Sequence, residues 1–521
     1  MRIRLHDLLA DAAGRSGDAP AVTYRDETIG DARLWQDVQA AGAGLRQLGL
    51  ARGDRVAVYL DKRIETVTAI FATSAAGAVF VPVNPVLRAR QVAYILADCD
   101  VRVLITTAER LETLRDELEQ VKSLDRVILV GGASAGAGAD AGYCTTSWDD
   151  LAGEPDRPAA PTIDIDMAAI LYTSGSTGKP KGVVLSHRNV LAGAESVSQY
   201  LEMTADDVVL AALPLSFDAG FSQLTTSFAV GAHVVLVNYL LARDIVRLCT
   251  QHRVTALTCV PPLWIQLSEL DWPEETGRQL RYFANTGGRM PKSTLDKLRS
   301  VFPAARPYLM YGLTEAFRST YLDPAEAERR PDSIGKAIPN AEILVLRPDG
   351  SPCDPGEEGE LVHRGALVAM GYWNDPKRTA ERFRPLPGSD GALATELAVW
   401  SGDSVVRDEE GFLYFVGRAD EMIKTSGYRV SPTEVEEVAY ATGLVRDAVA
   451  LGVPDPTLGQ RIVLLVSPAG AGDLDPAAVK ALLKKALPLY MLPRDVVVRP
   501  ELPRSPNGKF DRNLLRQELS A

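Results

Sequence analysis

The stretch "AILYTSGSTGKPKGVVLSHRN", residues 169–189, begins as an apolar strand-like run and breaks into glycines and hydroxylated side chains, with Lys179 and Lys181 flanking Pro180. Gly175 and Gly178 let the backbone turn its N–H groups toward an anion without a Cβ in the way. Ser174, Ser176 and Thr177 add hydroxyl donors, and Lys181 adds positive charge. A phosphate is the expected guest. The loop is not a Walker A motif, which requires GxxxxGK[ST]. Counting back from Gly178, the first glycine would fall on Thr173, and Lys179 is followed by Pro180 rather than a hydroxyl. That argues against a P-loop kinase or ATPase.

The rest of the chain narrows the class. At 521 residues it is too long for one ordinary core, so two or more domains are expected. The composition, 46% hydrophobic and 24% charged, is that of a soluble globular protein. A formal net charge of -12 and the lack of any Lys/Arg cluster argue against nucleic acid as a partner. The five cysteines are odd in number and scattered, with no CxxC pair, so neither a disulfide framework nor a zinc site is indicated. A reducing, cytoplasmic setting is expected. "MRIRLHDLLADAA" reads as an amphipathic helix rather than a signal peptide, and no stretch is long and apolar enough to predict a membrane span.

Strand-like and helix-like segments alternate: "DRVAVYL" (54–60) before a helical 65–80, "VRVLITT" (101–107) before "ERLETLRDELEQV", then "DRVILV" (125–130). This predicts an α/β architecture with largely parallel sheets. "GGASAGAGADAG" (131–142) reads as an exposed low-complexity loop. After a turn-rich 384–396, the last hundred or so residues read as a compact α+β unit. The expected division is a large α/β domain over 1–418 and a small mobile α+β domain over 419–521, with the boundary in "GRAD" (417–420).

Further motifs follow in order: "YGLTE" (311–315), "GELVHRG" (359–365), "SGD" (401–403), "GRADEMIKTSGYRVSPTEVE" (417–436), "LPLYMLP" (487–493) and "PRSPNGKFDR" (503–512). Together with "YTSGSTGKPKG" they resemble the motif series of the adenylate-forming superfamily: acyl-CoA synthetases, peptide-synthetase adenylation domains and luciferases. The resemblance implies ATP and Mg²⁺, and attack of a carboxylate on the α-phosphate to give an acyl-adenylate and pyrophosphate. It assigns the loop Thr173, Ser174, Gly175, Ser176, Thr177, Gly178 and Lys181 to the β- and γ-phosphates. Gly287, Tyr311, Asp403 and Arg418 fall to the rest of the nucleotide: Tyr311 as a flat face for adenine, Asp403 and Arg418 on the ribose. Thr314 would donate to the α-phosphate and Glu315 would hold Mg²⁺, since hard cations prefer carboxylate oxygens. Lys509 would contact the carboxylate and α-phosphate together, as a compact charge on a flexible stem can. Asp420 takes the hinge position, and Gly427 lets the "KTSGYR" loop approach a pantetheine arm.

The carboxylate is read from "LPLSFDAGFSQL" (213–224). Peptide-synthetase adenylation domains carry an FD pair here whose Asp binds an α-ammonium, and Phe217–Asp218 matches it. A buried carboxylate needs a cationic partner, and an amino-acid ammonium would supply one; backbone N–H groups are the plainer alternative. The other pocket positions carried over are Ala219, Ser222, Cys259 and Ala284. Thr286, Met310, Arg318 and Ser319 complete them. A side chain as small as alanine's fits this set, and an inward-pointing Arg318 would instead favour an aspartate-like amino acid.

Long stretches such as "CVPPLWIQL" and "YFANTGGRMP" resemble exosortase-associated AMP-forming ligases, and also the alanine-adding, amide-forming ligases of macrolactam antibiotic pathways. The chain ends nine residues after "NGKFDR", which predicts a stand-alone enzyme. Its expected acceptor is a separate acyl carrier protein with a phosphopantetheine arm, bearing either an aminoacyl amine or the free thiol. Lys480, Lys484 and Lys485 offer a docking patch or simply a solvated helix face. The competing readings are an acyl-CoA ligase for a fatty or aryl acid, and a silent binding protein that kept the fold.

Overall fold

The computed structural model describes every residue except 1, 133–141, 152, 154–160, 174–179, 387–394, 419–420, 426–427, 456–457, 471–472, 488, 507 and 521, and describes 424, 428–429 and 520 by backbone alone. Among the described residues, three sheets of fourteen, eight and five strands organise it. The two larger ones lie within the first 418 residues, and the third begins at Ile423.

In the largest sheet, the run Pro20–Tyr24, His233–Leu236, Val208–Ala211, Ala256–Cys259, Tyr282–Asn285 and Arg306–Tyr311 is parallel throughout. From Thr320–Leu322 onward the sheet turns antiparallel and continues through Ser333–Ala337, Leu413–Arg418, Leu397–Arg407, Glu358–Gly365 and Ala341–Leu346. Parallel strands leave a crevice beyond their carboxyl ends, where ligands gather in α/β proteins. The antiparallel wing brings "SGD" to that crevice.

The eight-stranded sheet is parallel from Arg55–Val58 through its neighbours, but Met167–Thr173 and Lys181–Ser186 pair antiparallel. The opening loop therefore joins two hairpin strands, not a strand and a helix. Gly182 is placed for close packing: a Cβ there would stand 2.6 Å from Ile170 Cγ2 and 3.1 Å from the Tyr172 ring. The helix His187–Tyr200 starts only after the second strand, capped by Ser186 Oγ, which accepts from Asn189 N at 3.1 Å.

The helix expected over 65–80 stops at Ala75, and Val79 and Phe80 belong to the strand Val79–Pro82. Gly77 takes φ +79°, and Ala78 N reaches back to Thr73 O at 3.0 Å. That left-handed glycine closure ends a helix whatever the downstream residues prefer.

One core joins the facing sides of both large sheets through the helices Ile64–Ala75, His187–Tyr200 and Asp218–Val230. Phe71 meets Phe228 edge-on at 5.4 Å, and Phe80 meets Phe221 at 4.9 Å. Each buried ring contributes about 1.5–3 kcal/mol. The helix Asp218–Val230 carries polar side chains yet is buried nearly end to end. Its hydroxyls return to their own helix: Thr226 Oγ1 to Ser222 O and Ser227 Oγ to Gln223 O, both at 2.7 Å.

Two buried histidines make this core acid-sensitive. Leu5 N donates to His187 Nδ1 at 3.1 Å, and His6 Nδ1 meets Ser74 Oγ at 2.9 Å. Burial, with the nearby Arg4 charge adding for His6, lowers both from 6.5 to about 4. The unfolded chain thus binds these protons first. Their stabilisation is complete above pH 6.5 and is lost as the pH falls toward about 4. At about pH 5 the expected loss is about 2 kcal/mol for each, read as a falling melting temperature before most carboxylates protonate. A flat profile from pH 6.5 to about 5 would contradict it.

Candidate active site

The carboxyl ends of the parallel strands deliver most of the site. After Val208–Ala211 the chain runs through 212–217 into the helix that begins at Asp218. Lys62 pins this segment from below: its ammonium donates to the carbonyls of Ala211, Ala212 and Leu213 at 2.6, 3.0 and 3.1 Å. Burial lowers the Lys62 pKa to about 7. Gly220 is pressed so close to Pro214 O that a Cβ would lie 1.9 Å from it.

Asp218 is buried and is not alone. Arg318 Nη1 donates to its Oδ2 at 2.8 Å, with both side chains at most 4% exposed. Thr314 Oγ1 reaches the other oxygen, Oδ1, at 3.4 Å. Arg318 also donates to Phe317 O at 2.9 Å, and Phe317 holds φ +56°, a costly conformation for a non-glycine residue. The Phe317 ring packs against Gly193, where a Cβ would come within 2.3 Å of it. Packing thus holds a strained turn that keeps Arg318 on Asp218. The cationic partner expected of a substrate is already supplied by the protein.

The other positions expected in the pocket lie on the Asp218 helix and at or near the ends of the neighbouring strands. Ala219 and Ser222 lie in the first turns of the Asp218 helix, Cys259 ends its strand, and Ala284 and Thr286 flank the end of theirs; all are buried. Met310 Sδ receives the Tyr200 hydroxyl at 2.9 Å, and Tyr200 stacks on Tyr321 at 4.3 Å. Ser319 Oγ meets His363 Nδ1 at 2.9 Å.

Two further carboxylates, those expected to meet the nucleotide, are Asp403 and Glu315. Asp403 takes the Tyr311 hydroxyl on Oδ2 and Arg418 Nε on Oδ1 at 3.0 Å. Each carboxylate oxygen retains a further lone pair. Glu315 takes the Tyr372 hydroxyl at 2.5 Å and Lys181 Nζ at 3.3 Å, while Lys181 also donates to Tyr372 at 2.8 Å. Burial pushes Glu315 upward, but Lys181, Tyr372 and Arg382 outweigh it, so the acid titrates below the usual range. Thr173 Oγ1, at the strand end leading into the phosphate loop, is buried without a hydrogen-bond partner among the described residues. This hydroxyl, the cations and a single buried carboxylate fit a nucleotide polyphosphate with its metal: Mg²⁺ binds through one or two carboxylates plus phosphates, and Glu315 would be that carboxylate. Ser174, Gly175, Ser176, Thr177 and Gly178 lie outside the described residues.

Lys509 comes from the small C-terminal unit. It projects over Gly287, where a Cβ would stand 3.0 Å from Lys509 Cε, and its ammonium lies 5.4 Å from the centre of the Phe217 ring. The side chain keeps contact with solvent, yet burial against the cleft walls lowers its pKa, with Asp218 and Asp403 pulling the other way. Its loop is held at both flanks. Arg504 pairs with Asp447 at 2.9 Å, and Arg512 donates to Glu436 at 2.5 Å. Asn84 Nδ2 donates to Pro506 O at 3.1 Å, tying the loop to the large unit. Asp420 and Gly427 lie outside the described residues.

Sequence reading alone passed over Lys62, Tyr372 and Arg382. For Tyr372 the signal was present, as an aromatic after the "GELVHRG" strand; for the other two only the tertiary contacts speak. Among the described residues, no helix is long and apolar enough to cross a membrane.

Comparison with known proteins agrees with this geometry. The AMP-binding enzyme family matches residues 9–373, and the AMP-binding enzyme C-terminal domain matches residues 434–509. The chain is 31% identical over 513 residues to the sulfoacetate–CoA ligase of Cupriavidus necator, spanning 97% of this chain and 96% of that one. It is 29% identical over 516 residues to a linear gramicidin synthase polypeptide of Brevibacillus parabrevis, where 98% of this chain matches only 6% of that protein's length. The amide bond synthetase McbA from Marinactinospora thermotolerans superposes with a TM-score of 0.83 at 25% identity, covering 99% of this chain and 100% of that one. Enzymes of this family use ATP with Mg²⁺. With both family regions present and Glu315, Asp403 and Lys509 gathered at one crevice, the chain belongs to the AMP-binding enzyme family and is an AMP-forming ligase.

Proposed function

We propose that this ligase activates a small amino acid, with L-alanine as the first candidate, and passes it to an acceptor on a carrier protein: the amine of an aminoacyl group or the pantetheine thiol. The observation that carries the reading is the state of Asp218. One oxygen is satisfied by Arg318, and among the described residues the other has only the 3.4 Å contact from Thr314. That oxygen can accept an ammonium without breaking the buried ion pair. Ala219, Ser222, Cys259 and Ala284, the positions expected to line the pocket, are small and buried, which supports a side chain as small as that of alanine. A role in secondary metabolism draws support from the relative named linear gramicidin synthase.

A second reading rests on Arg318 itself, whose Nε is buried without a partner among the described residues. A side-chain carboxylate would satisfy it, making an aspartate-like acid the rival. Exchange of labelled pyrophosphate into ATP, run across the amino acids and simple fatty acids, separates these readings. Exchange with alanine or its neighbours is expected; exchange led by aspartate selects the rival. Exchange only with acids lacking an α-amino group would overturn both.

A further inference from the structure

Arg382 ends the helix Pro376–Arg382 at the edge of the nucleotide site. The arginines beside it are occupied: Arg378 pairs with Asp375 at 3.4 Å, and Arg384 faces Glu360 at 3.7 Å. No carboxylate among the described residues lies within ion-pair distance of Arg382. The next residue, Phe383, packs its ring edge-on against Tyr372 at 5.6 Å, and the Tyr372 hydroxyl holds Glu315 and receives Lys181. Arg382 is thus a second cation set beside a site where Lys181 is already bound to the one carboxylate, Glu315.

The backbone makes room for this guanidinium. Gly402 has φ +69°, and a Cβ on it would lie 2.7 Å from Arg382 Nη1. Any side chain there would displace the arginine. Gly402 directly precedes Asp403, so one three-residue stretch of the strand Leu397–Arg407, "SGD", both presents the expected ribose acid and opens the path for Arg382. Lys181 is committed to Glu315 and Tyr372. A guanidinium offers a planar fork suited to phosphate oxygens.

We propose that Arg382 is a binding residue for the β- and γ-phosphates of ATP. As the substrate carboxylate bonds to the α-phosphorus, the bond from that phosphorus to the β-bridging oxygen breaks, and the electron pair leaves with pyrophosphate. Arg382 holds that departing charge. The assignment does not depend on which carboxylate the enzyme activates, so its test uses nucleotides alone.

The test is calorimetric titration of the full chain and its Arg382→Met and Arg382→Lys variants with Mg²⁺–ATP and with AMP. In Arg382→Met, ATP affinity is expected to fall about 10- to 100-fold, the usual scale for a hydrogen bond to a charged group. AMP, which lacks the β- and γ-phosphates, should bind within about twofold of the parent. Arg382→Lys, which keeps the charge and loses the fork, should recover part of the loss and also serves if the methionine variant does not fold. An equal loss for ATP and AMP would mean Arg382 only shapes the turn at Gly402, and unchanged ATP affinity in both variants would remove it from the site. Either result overturns the assignment.

Discussion

Replacing Lys509 by alanine is expected to slow adenylate formation about 100- to 1000-fold, the effect of removing one preorganised charge from a transition state. Lys509 reaches across Gly287 into the cleft, 5.4 Å from the ring of Phe217, the residue just before the helix start at Asp218. That position supports the proposal that Lys509 meets both the substrate carboxylate and the α-phosphate. Its side chain retains solvent contact, and its loop is fixed by the Arg504–Asp447 and Arg512–Glu436 pairs rather than by the ammonium. The variant should therefore melt with the parent enzyme and still bind ATP. Supplied with a chemically made aminoacyl-adenylate, it should still carry out transfer. Measured pyrophosphate exchange within about tenfold of the parent would remove Lys509 from the chemistry.

The second large effect falls on the buried pair. Asp218→Ala leaves the Arg318 guanidinium buried without its carboxylate, a loss that costs about 3–5 kcal/mol of stability. Asp218→Asn keeps an oxygen for Arg318 and removes only the negative charge. For that variant the expected result is a KM for the amino acid raised about 10- to 100-fold, with the KM for ATP unchanged. A double change, Asp218→Leu with Arg318→Met, should regain most of the stability because neither charge is then stranded, yet remain inactive toward amino acids. The comparison separates the pair's structural role from its contact with substrate. If Asp218→Asn raised both KM values equally, Asp218 would be holding the turn at Thr314 and not the substrate.

The pair also shows why substrate reading from sequence stops short. "FDAGFSQL" points to Asp218, and "YGLTEAFRS" contains Arg318, but the two lie 100 residues apart. Two other strands separate their parent strands in the sheet. Only loops turning back over the same carboxyl edge bring them to 2.8 Å. Seen from the sequence, Asp218 lacked a cation and an ammonium had to provide one. In the folded protein the cation is there already, and the question becomes which atom of Asp218 is still open to a ligand. The helix over 65–80 is a smaller case: the run stays apolar to Phe80, but Gly77 takes the left-handed conformation and the chain re-enters the sheet.

What the amino-acid sequence determined unaided is the reaction class. "YTSGSTGKPKG", "YGLTE", "SGD" and "PRSPNGKFDR" resemble the motif series of the adenylate-forming superfamily, and the chain does belong to the AMP-binding enzyme family, so residue type and local spacing suffice for the class. The alternation of strand-like and helix-like runs likewise sufficed for an α/β architecture. Tertiary structure alone decided how charge is shared among those parts. The Arg318–Asp218 pair, the Lys62 ammonium on three carbonyls, and Lys181 and Tyr372 on Glu315 join residues from different sheets and loops. Buried charge is stable only where the fold places its counter-charge or hydrogen-bond acceptors. That placement depends on which loops share the crevice, and no local stretch of sequence encodes it.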